Sequence, residues 1–251
     1  MGTWSGRRAL VTGASRGIGR AIAVALAAEG AHVALAGRDW AALEETAARC
    51  RAGGGAVATV AEPLVVVADV TDPDAADVLR EAAGDVLHLL VNVAGAPGTA
   101  SLLKDLDDAD WQAAFELHVL APARILRACH APLANAGGAV VNIGSIAANA
   151  AVARSAAYSA AKAGLASLTR ATAIEWARDG IRANLVEPGY VATEFNTPLI
   201  EGGFEPALLA KVPTRRAVTP ESIAQAVLFA GSNPDMTGAV LRVDGGQTAK
   251  L

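Results

Sequence analysis

The sequence predicts an α/β protein: a single domain, residues 1–251, built on a doubly wound, mostly parallel sheet with helices on both faces. Three observations carry that expectation. Short apolar runs alternate with helical patterns from RALV at Arg8–Val11 to the last run at Ala239–Val243. A glycine-rich turn follows the first run and opens a helix. No linker, repeat or charge block divides the 251 residues, a length that can bury a substantial core.

Arg8–Val11 reads as the first strand and Arg20–Ala28 as a helix closed by Gly30. Between them lies Thr12-Gly13-Ala14-Ser15-Arg16-Gly17-Ile18-Gly19. Strand, glycine-rich turn and helix form the context in which glycine spacing signals phosphate binding. Gly13 permits the tight turn, Gly17 lets the backbone approach a pyrophosphate, and Gly19 lets the helix pack closely on the strand. Free N–H groups at the helix start would hold the phosphates. His32–Ala36 completes a βαβ unit and ends in Gly37-Arg38-Asp39. An acidic residue at this place takes a ribose 2′-hydroxyl, whereas an Arg accommodates a 2′-phosphate. Arg38, with Arg16 in the turn, suits a bidentate phosphate clamp. Asp39 is either a cap for the next helix or a ribose contact. The expected cofactor is therefore NADP(H) rather than NAD(H).

Trp40–Arg51 reads as a helix with Leu43 and Ala47 inward. Gly53-Gly54-Gly55 and an apolar run follow, in which Val57–Val60 is an added turn or strand extension ahead of the strand Leu64–Val67. Asp69-Val70 ends that strand at the carboxyl edge of a parallel sheet, where ligands gather. Asp72–Ala83 is a helix with Asp72 as N-cap and Pro73 in its first position. Val86–Val91 is a strand followed by Asn92-Val93-Ala94-Gly95, small enough for a flat ring to approach, with the Asn92 amide placed to brace neighbouring strands. Trp111–His130 is a long helix, Ala139–Ile143 a buried strand, and a helix runs to about Arg178. Ile181–Val186 is the next strand and Ala217–Ala230 the last helix. Residues 190–216, with Gly202-Gly203 and three prolines, read as a lid over the substrate.

The chemistry concentrates between Ala139 and Leu168. Ser145 follows the buried strand, and Tyr158 and Lys162 lie in an Ala-rich helical segment. Their i,i+4 spacing puts phenol and ammonium on one helical face. A phenol is a poor acid–base catalyst at neutral pH, and a fixed positive charge beside it lowers its pKa. A Ser hydroxyl could meet the same substrate oxygen from the other side. Such a site moves a proton on or off a carbonyl oxygen.

Composition narrows the alternatives. The chain is 53% hydrophobic and 18% charged, which excludes a disordered segment, and its net charge of −4 argues against a nucleic-acid or anionic-membrane surface. Cys50 and Cys129 are far apart and lack a C-x-x-C, so two buried free thiols are expected. His32, His88, His118 and His130 show no metal-ligand spacing, and no metal is expected. MGTWSGRRALVTG runs straight into a strand with neither a signal-peptide core nor a membrane span, so a soluble, cytoplasmic protein is expected.

Taken together, TGASRGIG at 12–19, DV at 69–70, NVAG at 92–95, Ser145, YSAAK at 158–162, PGYVAT at 188–193 and VDGG at 243–246 resemble the short-chain dehydrogenase/reductase family over essentially the whole chain. The pattern is most similar to its 3-oxoacyl-(acyl carrier protein) reductase-like branch. The resemblance implies a Rossmann-type fold with seven parallel strands and a homotetramer or homodimer. It implies that Tyr158 is the general acid for carbonyl reduction and the base for alcohol oxidation. Lys162 would lower the Tyr158 pKa and hold the nicotinamide ribose, and Ser145 would stabilise charge on the substrate oxygen. It places the cofactor against Gly13, Ser15, Arg16, Gly17, Ile18 and Gly19, with Asp69 and Val70 at the adenine. Asn92, Ala94 and Gly95 would line it, and Pro188, Gly189, Val191 and Thr193 would hold its carboxamide end. Two residues depart from the pattern. His118 stands where the family has an Asn that supports a proton-relaying water, and is either a substitute in that relay or a packed helix histidine. Val93 replaces a second Asn, a mild change.

The expected activity is an NADPH-dependent ketoreductase that interconverts a carbonyl and a secondary alcohol, free or held on a carrier or coenzyme A. The alternatives are an NAD-dependent polyol or hydroxysteroid dehydrogenase, a catalytically silent cofactor-binding protein, and a non-redox dehydratase or cyclase. Ala147, Ala148, Ala150, Val152, Pro97, Tyr190 and Phe195 read as small or apolar pocket-side residues, with Arg154 the one cation nearby.

Overall fold

The computed structural model describes residues 3–53, 62–150, 152–196, 201–203 and 205–250. Among them, seven strands form one sheet: β1 (Arg8–Thr12), β2 (His32–Gly37), β3 (Leu64–Val67), β4 (Leu89–Asn92), β5 (Ala139–Ile143), β6 (Arg182–Pro188) and β7 (Val240–Val243). Their order is β3-β2-β1-β4-β5-β6-β7, and every neighbouring pair is parallel. The chain runs outward from β1 to β3, returns to set β4 on the other side of β1, and continues outward to β7. That reversal opens a crevice at the carboxyl ends of β1 and β4, where α/β sheets bind ligands.

The main helices are α1 (Gly17–Ala28), α2 (Trp40–Gly53), α3 (Ala75–Ala83), α4 (Asp108–Phe115), α5 (Ala121–Ala136), α6 (Ala156–Glu175), α7 (Glu205–Lys211) and α8 (Pro220–Ser232). Strand side chains alternate between the two faces. Leu10, Leu90 and Val140 pack with Leu79 of α3 and Ile125, Leu126 and Cys129 of α5. Val11, Leu89, Val91 and Val141 pack with Ile22 and Leu26 of α1 and Ile223 and Val227 of α8. Burial on both faces is why these strands read as unbroken apolar runs. Each buried Leu or Ile contributes roughly 1.5–3 kcal/mol, more than the exposed ion pairs supply.

Several element bounds differ from the sequence expectation: the first helix starts at Gly17 rather than Arg20, the strand read as Val86–Val91 is Leu89–Asn92, and the last helix starts at Pro220 rather than Ala217. The third helix begins at Ala75 rather than Asp72; Asp72 instead accepts the Asp74 N–H at 3.0 Å, and Pro73 sits in the turn before the helix. The expected helix Trp111–His130 extends from Asp108 to Ala136 and contains a π turn at Glu116–Leu120. Its start is set by a capping box in which Asp107 and Asp110 each accept the other's N–H. In the described part of the expected lid, Tyr190 and Val191 are buried, Val191 bridges to Val218, and α7 forms. The expectations for Val57–Val60 lie outside the described residues, as do residues 197–200 and 204.

Candidate active site

The glycine-rich turn is held by contacts no side chain could tolerate. A Cβ on Gly19 would lie 2.1 Å from the Gly13 carbonyl oxygen, so the first turn of α1 presses directly on the turn backbone. Gly13 has φ +65°, and a Cβ there would lie 2.8 Å from Ala94 Cα, which brings the Asn92–Gly95 segment against it. Thr193 reaches the same turn, its Cγ2 lying 3.3 Å from where a Gly17 Cβ would be. Arg16, the N-cap of α1, makes no side-chain cap bond, so the N–H groups of the first turn keep the polarity that suits a phosphate. These features fit a dinucleotide pyrophosphate. Ser15 and Ile18 are half-buried within the turn, Ile18 against the core.

Residues that sequence reasoning passed over shape this cradle. Arg20 donates to the Ser15 carbonyl at 2.6 Å while pairing with Glu45, and Thr46 donates to the Ala14 carbonyl at 3.0 Å. Thr12 Oγ1 accepts N–H groups from Val93 (3.1 Å) and Ala94 (3.3 Å), tying the end of β1 to the segment after β4. Asn92 does brace its neighbour. Its amide donates to Asn142 at 2.9 Å, and Asn142 donates to Thr169 of α6 at 2.9 Å.

At the edge of the crevice, Arg38 pairs with Asp69 at 3.6 Å and remains mostly exposed. Asp69 is fixed by the Thr71 N–H and hydroxyl, and the N–H bond is the main pull that lowers its carboxyl pKa. Asp39 Oδ1 caps α2, accepting the Ala42 N–H at 3.1 Å, as the first of its two readings expects. Val70 is buried. At the other edge, Gly189 sits against Asp244, 2.7 Å separating a would-be Cβ from Asp244 Cα, and its N–H donates to Val243. Tyr190 points its hydroxyl to Glu205 of α7 at 3.3 Å, so it anchors the segment after β6.

Ser145, Tyr158 and Lys162 come together beside this crevice. Ser145 opens a 3-10 turn, Ile146–Ala148, and its Oγ accepts the Ala147 N–H at 3.1 Å. Its hydroxyl also bonds Tyr158. Burial pushes the Tyr158 phenol up, and that bond from Ser145 pulls it back down. Lys162 is buried, donates to the Ile143 carbonyl at 2.8 Å, and lies 5.8 Å from the Tyr158 ring centroid. Burial lowers its pKa to about 7, so ammonium and amine are both populated near neutrality. Ser145 thus supplies a downward pull on the phenol, while Lys162 donates to the β5 carbonyl beside it.

His118 lies in the π turn, buried, and stacks edge-on against Tyr158 with ring centroids 5.2 Å apart. Its Nε2 is 3.1 Å from the Ala96 carbonyl, which can only accept, so Nε2 carries the hydrogen and Nδ1 is a bare acceptor. Among the described residues Nδ1 has no hydrogen-bond partner. Burial, with Lys162 nearby, lowers its pKa to about 3, so the ring is neutral. Gly95 leaves room for it, since a Cβ there would lie 3.1 Å from His118 Cε1.

No group of three or more metal-ligating side chains occurs among the described residues, and no described helix is long and apolar enough to cross a membrane. Cys50 and Cys129 are buried, burial pushing their thiols up to about 11 and about 12.

A dinucleotide cradle at the sheet's switch point, joined to a Ser–Tyr–Lys cluster, defines a nicotinamide-dependent oxidoreductase. The family described as enoyl-(acyl carrier protein) reductase matches residues 13–248. The cis-4-hydroxycyclohexanecarboxylate dehydrogenase of Sinomonas cyclohexanicum is 38% identical, with 97% of each chain covered. The galactitol 2-dehydrogenase (L-tagatose-forming) of Cereibacter sphaeroides is 39% identical over 97% of this chain and 95% of that one. The structure of L-sorbose reductase from Gluconobacter frateurii, complexed with NADPH and L-sorbose, superposes with a TM-score of 0.90 at 30% identity, covering 100% of this chain and 99% of that one. The chain belongs to the short-chain dehydrogenase/reductase family, and its chemistry is the interconversion of a carbonyl and an alcohol.

Proposed function

We propose that the protein is an NADPH-dependent ketoreductase in which Tyr158 gives a proton to the carbonyl oxygen and, in reverse, takes it from the alcohol. One observation carries this reading. Ser145 Oγ is oriented by accepting the Ala147 N–H, and its single hydrogen serves the Tyr158 phenol or a substrate oxygen beside it. Developing negative charge at that oxygen then meets two hydroxyl donors. When bound, a nicotinamide supplies the hydride at C4. Lys162 carries positive charge next to Tyr158 and is placed to hold the nicotinamide ribose. Asn92, Ala94, Gly95, Pro188, Gly189, Val191 and Thr193 line the bound ring and its carboxamide.

NADPH is favoured over NADH because Arg38 and Arg16 are exposed at the crevice and Asp39 is occupied as a cap. His118 serves as an acceptor for a donor near Lys162. It does not pass a proton through its ring, since Nε2–H ends on a carbonyl. Some relatives are named for a free secondary alcohol, cyclic or sugar-like, and others for a substrate carried on coenzyme M or coenzyme A, so both forms belong in the test panel. The buried free thiols suit the cytoplasm, and exposed Leu120, Ile174, Phe229 and Val240 suit a homotetramer or homodimer.

The test is NADPH consumption over a panel running from cyclic ketones and ketoses to β-ketoacyl thioesters, with NADH in parallel. Turnover with NADPH should fall about a hundred- to ten-thousand-fold in Tyr158→Phe. NADPH binding without turnover on any member would replace this reading with a cofactor-binding scaffold. Product formed without NADPH consumption would point to dehydration or cyclisation. Faster turnover of polyols with NAD would move the assignment to a polyol dehydrogenase.

A further inference from the structure

Glu187 is the one carboxylate in the buried strand β6, whose other residues are Arg182, Ala183, Asn184, Leu185, Val186 and Pro188. Its side chain is 2% exposed. It packs over Gly144, where a Cβ would lie 3.2 Å from Glu187 Cγ, and so flanks the backbone leading into Ser145. Both oxygens are used. Oε2 accepts Arg242 Nε at 2.8 Å from the partner position on β7, and Oε1 accepts the Asn149 amide at 2.8 Å. A buried carboxylate is costly unless paired, and a buried ion pair is often replaceable by apolar groups without loss of stability. Stability alone is therefore a poor reason for a carboxylate here.

Its position relative to Ser145 supplies a better one. We propose that Glu187 is a positioning residue: its carboxylate holds Asn149, and through Asn149 the 3-10 turn that aims the Ser145 hydroxyl. That turn is three residues long, too short to hold its own shape. Ser145 closes its front by accepting the Ala147 N–H, and Asn149 closes its back, donating its N–H to Ile146. Asn149 is itself exposed, so its side-chain bond to Glu187 is what ties the back of the turn to the sheet. Arg242 completes the chain by fixing the carboxylate from the edge strand. The inference rests on the roles given to Ser145 and Tyr158 above.

Two variants test it. Asn149→Ala removes the tether from an exposed position. Glu187→Gln keeps the shape but leaves one oxygen to serve either Asn149 or Arg242. In both, amide hydrogen exchange at residues 146–150 should rise roughly tenfold, while residues 12–19 exchange as before. With the best substrate of the panel, kcat should fall about tenfold while NADPH affinity is unchanged. The limb of alcohol oxidation that needs ionised Tyr158 should move to higher pH, because a displaced Ser145 hydroxyl no longer donates to that phenol. Exchange at 146–150 equal to wild type in both variants would overturn the proposal. So would faster exchange with kcat and pH profile unmoved. Turnover surviving in Tyr158→Phe would instead sink the proposed function, leaving the exchange data to judge the tether by itself.

Discussion

The two halves of the crevice are built by different means. On the side of β1 and α1, backbone meets backbone: Gly19 on the Gly13 carbonyl, Gly13 on Ala94, with Arg20 and Thr46 bonding turn carbonyls. On the side of β4, β5 and β6, polar side chains are paired, all but Asn149 of them buried: Asn92 with Asn142, Asn142 with Thr169, Lys162 with the Ile143 carbonyl, Asn149 with Glu187. The first construction suits a ligand common to many reactions, gripped through main-chain N–H groups that any sequence with the right glycines supplies. The second aims particular atoms, and its distances depend on which side chains are present. Cofactor binding and catalysis should accordingly fail separately.

The largest separation is expected from Gly19→Ala. One methyl placed 2.1 Å from a carbonyl oxygen forces α1 off the turn, which no flexible side chain can relieve. NADPH affinity, read by calorimetry, should fall at least a hundredfold, and the Ser145–Tyr158 contact should persist in the variant's structure. Retained affinity would show that the turn yields more than its backbone packing implies.

A second effect, on stability rather than affinity, is expected from His118→Asn, read against pH. The folded His118 pKa of about 3 lies below the unfolded value of 6.5. The unfolded chain therefore binds the proton first as pH falls, and stability is lost from about pH 6.5 down towards pH 3. The loss attributable to this group is on the order of 5 kcal/mol at the acid end. Denaturant midpoints for wild type and His118→Asn should diverge below pH 6.5 and run parallel above it. Parallel curves throughout would place the imidazole in contact with solvent.

The smallest effect is expected at the cofactor edge. Arg38 is exposed and its pairing with Asp69 is long, so Arg38→Asp should leave the fold intact. The ratio of kcat/KM for NADPH over NADH should fall about tenfold to a hundredfold. An unchanged ratio would transfer the 2′-phosphate to Arg16.

Much of this was legible in sequence because the signals were local. The strands are apolar runs, and their doubly buried faces leave no alternation to misread. The glycine-rich turn and the spacing of Ser145, Tyr158 and Lys162 each lie within a short stretch, and the structure brings all of them together. The contacts that tune the site were not legible, for a physical reason. Arg20 reaches Thr46 and Glu187 reaches Arg242 across 26 and 55 positions, and each residue read alone is an ordinary polar side chain; the bracing role of Asn92 was legible, but its partner Asn142, 50 positions on, was not. Asp72-Pro73 looked like a helix start because both residues favour that role, but the chain makes one more turn first. The direction of the Lys162 ammonium escaped for a similar reason: helical spacing gives the face, and the β5 carbonyl gives the target.

The π turn at Glu116–Leu120 has a consequence for how the pocket can vary. A residue added to a helix advances everything beyond it by about 100°. Before the turn, Ala114 and Phe115 face Ala157 and Ala161 of α6; after it, Ile125, Leu126 and Cys129 face the sheet. One continuous helix thus presents two independent phases, with His118 at the seam. Substitutions in its first half can reshape the surroundings of Tyr158 without disturbing the sheet's packing. Deleting one residue at the seam would bring the phases back together and swing the imidazole out from under Gly95.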